Sequence, residues 1–329
     1  MLMREKNAWR GRGAAAVPLF RPDGHAADGS QQDGNVLALM CRSTRSSMSG
    51  IVGVGVDRIA QPDNSRRWEI ARIVRKMKLL VTGASGSYQT LKPSILDGSL
   101  ALMQAGVAAG IRCFVYSSSL LVYRGSRSMV GAHTPANPAL DYGRIKVETE
   151  KRLLQIARSA GISFSALRLP HVYGMRDLYF QQLQAGRLIL PGLGKNTYTH
   201  LHVADAAAVI IACAEQAFEG ILPVGDHRPS TWNAFLKIAR QHFPKARIIR
   251  LPQWLALLAT ALLTPFRRIR PHPGLETPGA VRTYNFNLAV DPDLVWKDLD
   301  LKPRFNTIEE GIPAAVATGV PKGFLDRRF

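Results

Sequence analysis

The sequence predicts an α/β protein, with a doubly wound parallel sheet followed by a smaller C-terminal lobe. Three observations support this: strand and helix patterns alternate from Lys78 onward, a glycine-containing turn follows the first strand, and a serine run ends a later one. We expect one domain over residues 77–175 and a smaller lobe over residues 176–329. Residues 1–76 are expected to be a poorly structured basic extension.

That extension mixes Gly, Ser, Asp and Arg without sustained periodicity, and residues 21–35 have low hydrophobicity. Two short apolar patches, residues 36–40 and 50–56, each have the length and composition of a strand. Residues 65–78 carry apolar side chains at helical spacing among basic ones, which predicts a basic amphipathic helix. The slightly favoured interpretation is that the domain starts at Met77 and the preceding residues are an over-long reading frame.

From Lys78 the alternation of patterns predicts three buried strands and two helices, with the second helix ending at Gly161. A βαβ alternation of this kind favours parallel strands with helices on both faces. The predicted elements are, in order, a strand at Leu79–Thr82, a helix at Leu96–Gly110, a strand at Cys113–Ser117, a helix at Tyr142–Ala160 and a strand at Phe164–Leu169.

The composition limits the function classes. The chain has 43 Lys and Arg against 24 Asp and Glu, a net charge of +19, which suits contact with phosphates, anionic lipid or nucleic acid. The favoured interpretation is nevertheless a solvated basic surface. No nucleic-acid-binding motif accompanies the charge, so we expect no nucleic-acid partner. The three cysteines match neither a disulfide nor a metal pattern, which predicts free thiols in a reducing, cytoplasmic setting and no metal site.

One apolar run, WLALLATALL at residues 254–263, is too short for a membrane span, which needs roughly 20 residues. Pro252 and Pro265 bracket this run, and the basic sequence FRRIR follows it. We expect a helix packed on the core. A peripheral helix lying in a membrane surface is the less favoured alternative.

The sharpest chemical signal is the pair Tyr142 and Lys146. They lie four residues apart on a predicted helix, so both side chains leave the same face. An ammonium near a phenol favours the phenolate and lowers the tyrosine pKa, which would let Tyr142 exchange a proton with an alcohol or carbonyl. Y-x-x-x-K alone is a weak signal, because an exposed tyrosine and a solvated lysine produce it by chance.

The serine run strengthens this interpretation. Ser117, Ser118 and Ser119 end an apolar strand, and open parallel sheets bind ligands just beyond the carboxyl ends of their strands. A hydroxyl there can hold a substrate oxygen while Tyr142 moves the proton. The alternative interpretation is a serine-rich turn without function. The combination of the serine run with the glycine turn and the Y-x-x-x-K pair favours the catalytic interpretation.

From Lys78 onward the chain resembles an extended short-chain dehydrogenase/reductase of the NAD-dependent epimerase/dehydratase type. This resemblance implies a truncated Rossmann-type NAD(P)-binding domain over residues 77–175 and a substrate-binding lobe over residues 176–329. The matching segments span roughly three quarters of the chain, and they occur in the same order as in the family. The matching segments are LLVTGASG, LDGSLALMQAGVAAGIRCFVYSSSLLVY, DYGRIKVETEKRLL, LRLPHVYG, HLHVADAAAVI, PVGDHRPSTWNAFLKIA and NTIEEGI.

The resemblance implies roles for individual residues. Ser119 would position the substrate oxygen, Tyr142 would be the acid/base, and Lys146 would lower the tyrosine pKa and hold the nicotinamide ribose. The implied cofactor-binding set is Thr82, Gly83, Ser85, Gly86, Ser117, Lys146, Pro170 and His171, and the implied substrate-binding set is Ser119, Tyr123 and Tyr198. The glycines would let the backbone approach a pyrophosphate at a helix N-terminus.

The sequence also departs from the family pattern. Gln89 stands where the third glycine of T-G-x-x-G-x-x-G is expected, and Ile95 stands where an asparagine is usual. Between Gly83 and Ser119 there is room for one βαβ unit of about 30 residues, although the family has more. We therefore expect an internal deletion, joined between Gly86 and Ile95, that removes the strands reading the adenosine ribose.

Residues 1–76 could supply a replacement strand, since VLALMCRSTR has the pattern of a strand followed by basic residues. This is the less favoured alternative, because the segment precedes the glycine motif and would give an unusual topology. Without a replacement, affinity for the adenosine half of a dinucleotide would be weak.

The substrate region departs as well. Tyr198 and Thr199 occupy the positions of an Arg-Asp pair whose arginine binds diphosphate in sugar-nucleotide members of the family. A neutral tyrosine cannot replace a guanidinium on phosphate. This favours a less charged alcohol or ketone as substrate.

The sequence therefore predicts an enzyme that uses NAD or NADP to oxidise or reduce a hydroxyl or carbonyl group of a small molecule. A nucleotide-sugar epimerase or dehydratase and a catalytically impaired family member are the alternatives. A homodimer is the assembly that the resemblance implies.

Overall fold

The central element of the protein is a five-stranded sheet. The computed structural model describes residues 38–41, 77–80, 92–126, 128–174, 177–226, 228–269, 278–292 and 294–318. The sheet strands are β1 (Ala38–Cys41), β2 (Met77–Leu80), β3 (Cys113–Ser119), β4 (Ser163–Leu169) and β9 (Gly220–Pro223). Their order across the sheet is β2-β1-β3-β4-β9.

Six further strands pair two by two outside this sheet: β5 (His171–Tyr173) with β8 (His200–His202), β6 (Arg187–Pro191) with β11 (Arg247–Leu251), and β7 (Thr197–Tyr198) with β10 (Ser230–Thr231). The helices are α1 (Gly98–Ala108), α2 (Asp141–Ala160), α3 (Leu178–Gln184), α4 (Val203–Glu215), α5 (Trp232–His242), α6 (Gln253–Ile269), α7 (Pro278–Thr283), α8 (Leu294–Asp298) and α9 (Ile308–Ala317).

Strands β3, β4 and β9 run parallel, which confirms the predicted α/β class. All seven residues of β3 pair with β4, and Ser119 lies opposite Leu169. Because parallel strands end at the same edge of a sheet, this register brings Ser119 and the residues after β4 to one side of the molecule.

The helix boundaries follow from local signals. α2 begins one residue before the predicted position and ends at Gly161, whose φ of +63° is the left-handed conformation that a helix-terminating glycine adopts. α1 begins at Gly98 rather than Leu96, because a π-helical turn over Lys92–Asp97 precedes it. β3 extends to Ser119, two residues beyond its predicted end, so the serine run belongs to the strand.

Strand β1 comes from the N-terminal extension and lies between β2 and β3, antiparallel to both. A strand supplied by the N-terminal extension is the alternative that the sequence made less favoured. It covers the edge of β3, whose backbone donors and acceptors would otherwise lack strand partners. Met77 belongs to β2 rather than to the predicted amphipathic helix, and the rest of that helix lies outside the described residues, as does the patch at residues 50–56.

Apolar residues from both sides of the sheet form separate cores. One packs α1 and α2 against β3 and β4, and another packs α4 and α8 on the opposite face. A further core joins α3, β6, α5 and α9. All described residues belong to one unit of contacts spanning residues 34–329, so the domain boundary at residues 175 and 176 remains a prediction.

None of the helices in the described part of the chain combines the length and apolarity that a bilayer span requires.

Candidate active site

Ser119 and Tyr142 meet at the carboxyl end of β3. Ser119 is the last residue of that strand, and its Oγ accepts a hydrogen bond from the amide of Leu121 at 3.2 Å. Tyr142 lies in the first turn of α2 and forms a side-chain hydrogen bond with Ser119. The structure therefore brings together two of the three predicted catalytic residues.

Gly143 allows this approach. A β-carbon at this position would overlap the carbonyl oxygen of Leu121 and lie 2.8 Å from Cβ of Pro138. With only hydrogen at Cα, the start of α2 packs directly against the turn that follows β3. This contact sets the distance between Tyr142 and Ser119.

Lys146 lies one turn further along α2 and is buried, with 1% of its surface exposed. Its Nζ donates a hydrogen bond to the carbonyl oxygen of Ser117 at 2.9 Å. The same atom lies 4.8 Å from the ring centroid of Tyr116 and 5.7 Å from that of Tyr142. All three predicted catalytic residues thus share one corner of the fold.

The electrostatics of this corner differ from the sequence-based expectation. Burial raises the pKa of Tyr142 to about 12, and the hydrogen bond with Ser119 offsets only part of this effect. Burial also lowers the pKa of Lys146 to about 7, against the opposing influence of Glu150. The expected lowering of the tyrosine pKa by a charged lysine is therefore wrong for this structure, because desolvation dominates both groups.

A buried ionic network beneath the site was not anticipated. Glu150 receives two hydrogen bonds from Arg168, at 3.1 Å from Nε and 2.7 Å from Nη2, and a short one from the hydroxyl of Ser118. The sequence signal was available, since Tyr142, Lys146 and Glu150 are spaced i, i+4 and i+8 along α2. The arginine partner comes from β4, a contact that spacing alone does not reveal.

Tyr123, predicted to bind substrate, is part of this network. Its hydroxyl accepts a hydrogen bond from Nη1 of Arg168 at 2.7 Å, and its side chain is buried, with 2% exposed. Burial raises its pKa. The structure thus places Tyr123 against Arg168, and its substrate role remains a prediction.

His171 and Pro170 follow β4, at the sheet edge that also carries Ser119. The His171 ring lies between two polar partners: its Nε2 is 2.7 Å from Oδ2 of Asp177, and its Nδ1 is 2.9 Å from Nδ1 of His200. His200 is buried, and burial lowers its pKa well below the ordinary value. This Asp-His-His chain was also missed from sequence.

Tyr198, the other predicted substrate residue, is buried beside this chain. Its ring centroid lies 5.8 Å from that of His200 and 5.4 Å from that of Trp232. Burial raises its pKa, with a further contribution from the nearby Tyr142. Tyr198 therefore connects the aromatic cluster around His200 to the Ser119 and Tyr142 corner.

The described residues fit the nicotinamide end of a dinucleotide: two hydroxyls and a buried amine converge at a sheet edge where parallel strands end. The predicted pyrophosphate-binding residues Thr82, Gly83, Ser85 and Gly86 lie outside the described residues. Among the described residues, no group of three or more His, Cys, Asp and Glu side chains is arranged to hold a metal ion.

Comparison with known proteins identifies a similar family and similar folds over part of the chain. Residues 80–225 match the model of the NAD dependent epimerase/dehydratase family. An uncharacterized protein, y4nG, of Sinorhizobium fredii is 27% identical over 220 residues, which cover 64% of this chain and 54% of that protein. The chain thus aligns with only about half of the length of this curated relative.

Solved structures of similar fold include MoeE5 in complex with UDP-glucuronic acid and NAD, with a TM-score of 0.54 and 20% identity over 69% of this chain and 71% of MoeE5. The UDP-glucose 4-epimerase of Thermotoga maritima, solved with UDP-glucose, has a TM-score of 0.54 and 18% identity over 72% of this chain and 75% of its own. The UDP-glucose 4-epimerase of Thermus thermophilus, in complex with NAD, has a TM-score of 0.55 and 19% identity over the same shares.

The likeness to these structures confirms the predicted Rossmann-type fold. Residues 80–225, a little under half of this chain, thus resemble the NAD dependent epimerase/dehydratase family.

Proposed function

We propose that this protein is an NAD-dependent enzyme that oxidises or reduces a hydroxyl- or carbonyl-bearing carbon of a small molecule. The observation that carries the proposal is the convergence of Ser119, Tyr142 and Lys146 at the carboxyl end of β3. NAD, when bound, supplies or accepts the hydride.

In this proposal the protein orients the substrate and moves a proton. The hydroxyls of Ser119 and Tyr142 bind the substrate oxygen. With a pKa of about 12, Tyr142 is protonated at neutral pH, so in the reducing direction its hydroxyl donates the proton to the developing alkoxide. In the oxidising direction the phenolate must form, and positive charge on Lys146 would stabilise it.

Lys146 has two candidate tasks. Its pKa of about 7 means that the charged and neutral forms are both populated near neutral pH. Its bond to the carbonyl oxygen of Ser117 already fixes the amine at the end of β3, the place where a nicotinamide ribose would lie in the family. We propose that the amine binds the ribose hydroxyls there.

The test is a titration with NADH, following energy transfer from the protein's five tryptophans to the nicotinamide. Saturable binding that weakens in Lys146→Ala supports the proposal. Tyr142→Phe should bind NADH as tightly as the wild type yet lose about 100-fold or more in turnover of an accepted alcohol or ketone. A cooperatively folded protein that binds no NADH at millimolar concentration would overturn the proposal and favour an impaired family member.

A nucleotide-sugar epimerase or dehydratase is the second candidate. The similar fold of UDP-glucose 4-epimerases supports it. The buried, neutral Tyr198 opposes it, since this residue offers no charge to a diphosphate. Incubation with UDP-glucose separates the two: conversion without net change in NADH absorbance supports the epimerase, and stoichiometric NADH formation supports the dehydrogenase.

A further inference from the structure

Helix α6 has an inverted distribution of apolar side chains. Two of its small residues, Ala256 and Thr260, are buried against the body of the protein. Several of its large residues face outward: Trp254 is 68% exposed, Leu258 49% and Leu262 64%, whereas Leu255 and Leu257 are half-buried. Trp254, Leu258 and Leu262 are spaced i, i+4 and i+8, so they form one stripe along the helix.

The stripe contains no charge. Residues 253–266 include neither acidic nor basic side chains, and α6, at 1.5 Å per residue, is about 25 Å long. A helix on the surface of a soluble domain normally directs charged residues to water and buries its large apolar ones. An exposed apolar surface of this kind marks a binding surface.

The sequence on both sides of α6 contains basic residues and no acidic ones. No acidic residue occurs between Asp226 and Glu276, and nine basic ones do. They are Arg228, Lys237, Arg240, Lys245, Arg247, Arg250, Arg267, Arg268 and Arg270. Almost half of the net charge of +19 thus lies in one segment of fewer than fifty residues.

Charge and apolar surface meet at the N-terminal end of the helix. A cleft of about 530 Å³ is lined there by Leu193, Lys195, Arg250 and Gln253 among others. Leu193 is itself exposed, and Arg250 lies four residues before Trp254. Cations therefore stand at the start of the apolar stripe, and Arg267 and Arg268 follow it in sequence.

We propose that the α6 face, defined by Trp254, Leu258, Leu262 and Arg250, binds the surface of a bilayer that contains anionic lipid. The apolar stripe would enter the interfacial region, where tryptophan is favoured, while the flanking cations contact lipid phosphates. The length of the helix suits an orientation along the surface and not across it. The proposal does not depend on the proposed enzymatic function.

A lipid surface fits these features better than a second copy of this chain. A copy would bring a second set of the same basic segment to the interface, and like charges oppose such pairing. An anionic membrane supplies both an apolar interior and the opposite charge.

The test is flotation of the full-length protein with vesicles of phosphatidylcholine alone or with about 30% phosphatidylglycerol, at physiological ionic strength. We expect binding to the anionic vesicles and little to the neutral ones. The triple variant Trp254→Ala, Leu258→Ser, Leu262→Ser should lose at least about tenfold in affinity, because three large apolar groups no longer insert. Met129→Ser, which changes a similarly exposed apolar residue elsewhere, should bind like the wild type.

A second pair of variants tests how much the basic side chains contribute to vesicle binding. Arg250→Gln should weaken binding about fivefold, whereas Lys151→Gln, which removes one exposed charge from α2, should have little effect. Thermal melting of each variant verifies that its fold is intact.

Three results would overturn the proposal. The first is failure of the folded wild type to float with anionic vesicles. The second is equal loss of binding in the control variants, which would show a nonspecific effect of net charge. The third is a wild-type dimer that the triple variant converts to a monomer without any lipid binding, which would make the α6 face a self-association surface.

Discussion

The Nδ1 atoms of His171 and His200 lie 2.9 Å apart, and Nε2 of His171 lies 2.7 Å from Oδ2 of Asp177. A hydrogen bond between two Nδ1 atoms needs one proton and one lone pair, so the two rings cannot both carry a proton there. Within the described structure, Nε2 of His200 is buried without a hydrogen-bond partner. A proton added at Nε2 of His200 would therefore be buried without an acceptor, and acid is expected to disrupt this cluster.

Acid should destabilise the fold through His200 and its neighbour His202. Burial lowers the pKa of both, that of His202 to about 4. The unfolded chain binds protons near the ordinary value of 6.5 while the folded chain does not, so stability falls as pH drops from there. Between about pH 7.5 and about pH 4.5, His202 alone should cost about 2–3 kcal/mol.

Urea unfolding across this range measures the effect. His202→Gln and His200→Phe should each show a shallower loss of stability with acid than the wild type, because each removes one group that takes up a proton on unfolding. Equal pH slopes in all three proteins would contradict the assignment.

Replacing the buried lysine should stabilise the protein while inactivating it. The folded pKa of Lys146 is about 7, against 10.5 in the unfolded chain. Wild-type stability should therefore rise as pH increases between these values. At pH 7, Lys146→Met should be more stable than the wild type by about 1–3 kcal/mol, since an apolar side chain avoids the desolvation of the amine.

The comparison is made by urea unfolding at pH 7 and at about pH 10, where the advantage of Lys146→Met should shrink because the wild-type amine is neutral when folded. NADH binding by the variant should be weaker. A less stable Lys146→Met at pH 7 would show that the hydrogen bond to Ser117 outweighs desolvation.

The two glutamates of α2 should respond differently to the same substitution. Glu150→Gln leaves Arg168 buried without its counter-charge and should cost about 3–5 kcal/mol of unfolding free energy. Glu148→Gln removes a more exposed partner, whose Oε1 lies 3.0 Å from Nη2 of Arg152, and should cost less than about 1 kcal/mol. Similar losses in both variants, measured by denaturant unfolding, would mean that the Glu150 pair is not desolvated in solution.

Adding a methyl group beside the candidate acid/base should separate it from Ser119. Gly143→Ala introduces an overlap with the Leu121 carbonyl, so α2 must shift away from the turn after β3. We expect at least about a tenfold fall in turnover together with a stability loss of about 1–3 kcal/mol. Gly131→Ala is the control, because its new methyl would meet its nearest neighbour only at 4.0 Å. Full activity in Gly143→Ala would show that the approach of α2 is not critical.

Several features of the fold and of the candidate site could be predicted from the sequence. The patterns of β3, α2 and β4 gave their types and most of their bounds, because each is a run of clear apolar periodicity ended by a glycine or a polar residue. The pairing of Tyr142 with Lys146 followed from four-residue spacing on a helix. The convergence of Ser119 on this pair followed from the rule that parallel strands end at one edge of a sheet.

Other features could not be read this way. The partner of Glu150 is Arg168, 18 residues away on a different element, and His171 meets His200 across 29 residues. The pKa directions of Tyr142 and Lys146 were also out of reach, since they depend on how much water reaches each group. The position of β1 between β2 and β3 depended on which strand edge remained unpaired.

By itself, then, the sequence determined the α/β class and the candidate proton-transfer residues, because both depend on local periodicity and on spacing within one element. The tertiary structure decided which charges are buried, which histidines share a proton and which face of α6 meets solvent. These properties are set by contacts between residues far apart in the chain, and burial controls the free energy of every charged group involved.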